Sequence, residues 1–207
     1  EKENVKVFNM YDPAFRRAIV MGWCGQADSP GYALQVLEKR INDPEIPYMV
    51  QQSLDFLTTF PMLDGGVFRT EYDIDEKNYN GGDHVSCGQA MYNLAKAIEN
   101  GRKSKKYDTL KWEEFLRKTA DAQSRRILDE LWNPHSTAEA FYIAPLIMAS
   151  KLFKQERYRK AAEKTSNLYA ERHCNMTLGC YWGGTLDATC EDKEGAWAAF
   201  QGFLEMY

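Results

Sequence analysis

The strongest constraint on this chain is a recurrence of nearly uniformly apolar stretches, each entered through a loop rich in Gly, Asp, His or aromatic residues. The stretches cover residues 31–41, 88–98, 138–153 and 195–207. Three of them superpose: Gln89-Ala90-Met91-Tyr92 on Glu139-Ala140-Phe141-Tyr142 and on Gly195-Ala196-Trp197-Ala198. Ala90, Ala140 and Ala196 stand 50 and 56 residues apart, and Ala33 lies 57 before Ala90. A period near fifty is the length of two helices and two loops, so the chain reads as helical-hairpin repeats. Equivalent helices of such an array start at the same end. Residues remote in sequence can therefore line one site.

The intervening segments have a different character. Residues 47–60 place Val50, Leu54 and Leu57 among Gln51, Gln52 and Asp55. Residues 109–131 space Trp112, Phe115, Leu116, Ala120, Ile127 and Leu131 among charges, and residues 157–172 do the same with Tyr158, Ala161, Ala162, Thr165, Leu168 and Tyr169. Apolar positions three and four apart predict amphipathic helices with one wet face. By contrast, Glu139 is the only charge in 138–149, which predicts burial on nearly every side. One-sided helices alternating with all-round apolar ones predict an all-α fold in two concentric layers, an α/α-hairpin toroid, with a curved α-solenoid as the alternative. Four inner and three outer helices fill about half of a closed six-hairpin ring. Such a half-ring exposes a broad apolar edge, so residues 1–207 are expected to form one domain completed by further hairpins from the same or a partner chain.

Bulk properties narrow the function classes. The net charge of −4 disfavours nucleic acid, whose phosphates call for a basic surface. No apolar run approaches the roughly twenty residues of a membrane span. Aromatic residues make up 13%, enough to fill a core and still offer ring faces to a ligand. The five Cys residues are odd in number, which rules out complete internal pairing. His173, Cys174, Cys180 and Cys190 cluster, but their spacing matches no zinc knuckle, so free thiols are expected and no metal or other cofactor is called for.

The loops carry the polar chemistry. Residues 61–85 form a connection too long for a simple hairpin, with two Gly-Gly pairs and a small β-excursion expected around Val67, Phe68 and Tyr72. Its Asp73, Asp75, Asn78 and Asn80 lack the order of an EF-hand, which predicts a solvated acidic loop. Asp83 and His84, directly before an inner helix, are the site residues here, with a helix N-cap as the competing role for Asp83. A second loop brings Trp132 and His135 ahead of Ser136-x-x-Glu139, a capping box that assigns Glu139 a structural role. The third loop, 181–194, holds Tyr181, Trp182, a Gly pair, Asp187, Glu191, Asp192 and Glu194 before Gly195-Ala196-Trp197. Clustered carboxylates repel, so some hold a proton near neutrality. A glycosidase needs such an acid beside an ionised partner, while Tyr and Trp faces stack on a pyranose. Asp187 and Glu191 are therefore the expected catalytic pair, with Asp192, Tyr181, Trp182, Trp132 and His135 binding substrate.

Gly-Gly-aromatic-Asp loops feeding Gly-Ala-Trp or Gln-Ala-Met-Tyr helices resemble the six-hairpin (α/α) toroid carbohydrate enzymes: glycoside hydrolases, unsaturated glucuronyl hydrolases and, more distantly, N-acylglucosamine 2-epimerases. The resemblance implies a carbohydrate substrate and catalytic groups on the loops and inner-helix starts at one end of the ring; a periplasmic or secreted bacterial setting is favoured, with the cytoplasm as the alternative. Asp83, His84, Asp187 and Glu191 occupy such positions. The implied activity is glycoside hydrolysis. A sugar epimerase or lyase, in which His would take a proton beside a carbonyl, and a non-catalytic scaffold binding glycan or protein are the alternatives.

Overall fold

The computed structural model describes residues 10–11, 17–21, 28–134, 137–174 and 193–207. Most of these residues are helical. Helix α1 (Leu34–Ile41) follows a distorted turn at Asp28–Ala33; α2 (Glu45–Leu57), α3 (His84–Ser104), α4 (Leu110–Leu128), α5 (Ile143–Phe153), α6 (Glu156–Cys174) and α7 (Lys193–Met206) follow in order. A tight helical turn at Thr137–Tyr142 leads into α5. Among the described residues no helix is long and apolar enough to cross a membrane.

The helices pack in two layers. Residues 28–33 contact α3, α3 contacts α5, and α5 contacts α7, while α2, α4 and α6 form the second layer behind them. Helix α5 fulfils the expectation of all-round burial, with Ile143 to Ala149 buried without a break. Each fully buried Leu or Ile there contributes about 1.5–3 kcal/mol. Helix α4 buries one stripe, Trp112, Phe115, Leu116, Thr119, Ala120, Gln123 and Ile127, at helical spacing. The Trp112 indole donates to Asp55 Oδ1 at 2.8 Å, which fixes α4 on α2.

Small residues set the closest approaches within the first layer. A Cβ on Gly88 would lie 2.6 Å from Phe141 Cβ, and one on Gly202 2.5 Å from Ile143 Cβ. A Cβ on Gly195 would overlap Thr137. The starts of α3 and of α7 therefore each lie directly against 137–142.

Two expectations need correction. The fold is not purely α: β1 (Met10–Tyr11), β2 (Arg17–Val20), β3 (Glu71–Asp73) and β4 (Asn78–Asn80) form an antiparallel sheet in sequential order. Its inner rings, Tyr72 and Tyr79, sit 5.0 Å apart and pack with Phe56 and Phe60, so the sheet covers an aromatic flank of α2. Of the β-excursion foreseen around Val67, Phe68 and Tyr72, Tyr72 lies in the β3–β4 hairpin, where it pairs with Ile19 of β2, and Phe68 makes an isolated bridge to Met62. Second, α1 is not apolar all round. Its buried residues are Gln35 and Glu38, while Leu37 and Ile41 are exposed. It is held to α3 by polar contacts instead, Gln35 Nε2 donating to Ala97 O and Asn100 Nδ2 to Gln35 Oε1.

Candidate functional site

Asp83 caps α3. Its backbone is extended and its carboxylate accepts the Ser86 N–H at 2.7 Å, so the N-cap role competing with catalysis is the one its geometry fulfils. The cap holds His84 in the first turn of α3, facing the 137–142 turn. There His84 Nδ1 lies 2.9 Å from the Tyr142 hydroxyl, with the two rings edge to face. His84 Nε2 lies 3.7 Å from Glu139 Oε1, too far for a hydrogen bond but close enough for the carboxylate to favour the imidazolium when it forms.

Glu139 is nearly buried, and both its oxygens are taken by Arg126 of α4, at 2.8 and 2.6 Å. The capping box foreseen for it involves Ser136, which lies outside the described residues. Arg126 in turn donates twice to Gln123 Oε1, at 2.9 and 2.7 Å, and its guanidinium stands over the Tyr142 ring. Gln123 Nε2 donates to Gly66 O at 2.6 Å. Five side chains from three elements thus form one connected cluster.

Burial works against the Arg126 charge, but the Glu139 carboxylate outweighs it and holds the guanidinium pKa above its ordinary value. Burial pushes the Tyr142 phenol well above 10, so it keeps its proton. His84 is lowered from 6.5, chiefly by burial and further by Arg126, against the raising pull of Glu139 and Asp83. At neutral pH the cluster therefore contains an ion pair, a phenol and a neutral imidazole whose side chain is one-third exposed. A neutral imidazole held by a phenol is suited to accept a proton.

Trp132 lies just after α4, its backbone N–H donating to Asp129 O at 3.3 Å. It is partly buried against the core, and the Lys164 ammonium sits 5.3 Å over its ring. That cation covers one face of the ring expected to bind a sugar. Its indole N–H is buried with no partner among the described residues. His135, Tyr181, Trp182, Asp187, Glu191 and Asp192 lie outside the described residues, as do Cys180 and Cys190. In the acidic loop, Asp73 Oδ1 accepts the N–H groups of Asp75 and Glu76, and Asp75 pairs with Arg17. Among the described residues no three His, Cys, Asp or Glu side chains are grouped to hold a metal ion.

The structure brings Asp83 and His84 together with Glu139, Tyr142, Arg126 and Gln123, which the loop-centred reading passed over. Two signals pointed to them. Glu139 and Tyr142 occupy the repeat positions aligned with Gln89 and Tyr92, and Gln123 is a polar residue within the apolar stripe of α4. No known family model matches the chain, and no curated protein matches it.

Proposed function

We propose that this chain is part of a carbohydrate-active enzyme of the α/α-hairpin toroid kind, acting as a glycoside hydrolase at the end where α3, 137–142 and α7 begin. The observation that carries the reading is the packing of those three starts, Gly88 on Phe141 and Gly195 on Thr137. It brings Asp83 and His84 to the end at which α7 begins. In this reading Asp187 and Glu191 supply the protonated and ionised carboxyls, and Tyr181 and Trp182 bind the sugar with His135, Trp132 and Asp192. Further hairpins, in the same or a partner chain, cover the exposed side of α7, where Trp197, Phe200 and Leu204 face outward.

A second reading is favoured by the His84–Tyr142 contact. The described carboxylates Asp83 and Glu139 are both engaged as acceptors, from the Ser86 N–H and from the Arg126 guanidinium. His84 is the group placed to move a proton, which suits a lyase or epimerase acting beside a uronate carboxylate or a carbonyl. One experiment separates the two. Neutral and uronate-containing oligosaccharides are incubated with the protein, following new reducing ends and the ultraviolet absorbance of an unsaturated product. Hydrolysis gives reducing ends alone and falls by about two orders of magnitude or more in Asp187→Asn or Glu191→Gln. Elimination gives the absorbance and is lost in His84→Gln with both carboxylate variants active. Turnover of no sugar by the complete protein would leave the scaffold reading in possession.

A further inference from the structure

We propose that Gln123 and Arg126 are positioning residues, holding Glu139 against His84 and locking the 61–83 loop to the same cluster. The inference rests on reading His84 as a reactive group at this end of the array.

Gln123 is fully buried, and its one amide spans two structures. The carbonyl oxygen takes both Arg126 donors and the NH2 group reaches Gly66 O. Turning the amide over would set oxygen against oxygen at Gly66 and NH2 against guanidinium at Arg126, so the network admits one orientation. The loop can come this close only at glycine. Gly66 has φ +80° and a Cβ there would stand 2.5 Å from Ala122 Cβ. The loop is thus pinned near its start by Gln123, and its last residue, Asp83, caps the helix that carries His84.

Packing alone gives no reason for this arrangement. Desolvating a guanidinium and a carboxylate offsets much of their attraction, and apolar side chains of similar volume commonly serve stability as well or better. What the pair supplies is a fixed field at His84. The charged and titratable groups facing that imidazole are Asp83 from α3, Glu139 and Tyr142 from the 137–142 turn, and Arg126 from α4. Glu139 favours the imidazolium and Arg126 opposes it, so their separation from His84 sets the balance.

The test is an NMR titration of the imidazoles, with His84 assigned by its loss in His84→Gln. Glu139→Gln should lower the His84 pKa and Arg126→Gln should raise it, each by at least about threefold in the protonation constant. Gln123→Met should move it in the Arg126→Gln direction by less. It should also speed tryptic cleavage at Arg69 or Lys77 by about tenfold through a looser loop. If a single charge deletion fails to fold, Arg126→Met/Glu139→Gln leaves no unpaired buried charge. Adding Gln123→Met to that pair should then leave His84 where it was while still exposing the loop. Shifts in the same direction, or a Gln123→Met protein with wild-type titration and cleavage, would overturn the proposal. The titration needs no substrate, so absent sugar turnover refutes the function without touching this result.

Discussion

Gly88→Ala tests the close packing on which the site depends, because helix propensity and tertiary packing predict opposite signs. Gly88 is in the interior of α3, where alanine is favoured over glycine by about 1 kcal/mol. Against this, the new methyl would stand 2.6 Å from Phe141 Cβ, 2.7 Å from Phe141 O and 2.8 Å from its carbonyl carbon. Carbon atoms pack at about 3.5–4.0 Å, so α3 and the 137–142 turn must part by about 1 Å. Overpacking costs about 1–3 kcal/mol, and the upper end applies because two of the three obstructing atoms are backbone and cannot rotate away. The net loss is about 1–2 kcal/mol. Urea unfolding followed by far-ultraviolet circular dichroism reads it directly, as a midpoint lower by roughly 0.5–1 M at a slope of about 2 kcal/mol/M. An unchanged or higher midpoint would mean propensity wins, and would refute the contact between α3 and 137–142.

Three other outcomes follow from particular contacts. Trp112→Phe, which removes the indole donor to Asp55 Oδ1 and leaves it Gln51 Nε2, should lower stability by about 1–2 kcal/mol in the same unfolding assay; no measurable change would show the bond to be dispensable. Arg126→Gln alone should cost about 3–5 kcal/mol by stranding Glu139, and Arg126→Met/Glu139→Gln together should cost less than Arg126→Gln; additive losses would contradict the pairing. His84 has a folded pKa below 6.5, so the unfolded chain binds more protons just under that value. Its contribution is fully present above pH 6.5 and is lost as pH falls through the folded pKa, and His84→Gln should flatten that limb of the stability curve.

The helical layers were legible because their signals are periodic. Apolar residues on every side of 138–149 can be satisfied only by enclosure, and the wet faces of 109–131 and 157–172 can lie only outside it. The sheet was harder to read. Strands of two to four residues leave almost no alternation, and β2 finds its partner in β3 more than fifty residues later, guided by the burial of Ile19 and Tyr72. The α1 segment misled because Leu37 and Ile41 suggest a core face, whereas the buried positions carry Gln35 and Glu38. Side-chain amides and carboxylates with dedicated partners can outrank apolar residues for burial, and no window of local hydropathy registers a partner sixty residues away.

The same limit explains why half of the polar cluster escaped a reading built on loops. Asp83 and His84 were visible because a polar pair before an apolar helix is a local signal. Arg126 looked like one more surface charge near the end of an amphipathic helix, and Glu139 like the second half of a capping box. Their meaning is relational: a guanidinium and a carboxylate 13 residues apart meet only because α4 runs antiparallel to α5 and ends where 137–142 begins. A helix terminus is where such a cluster can form at least cost, since unpaired backbone donors and a nearby loop already keep the surroundings polar. The array thus concentrates its unusual chemistry at the ends of its helices, and the most apolar stretch, residues 140–149, begins immediately after the charge it must tolerate.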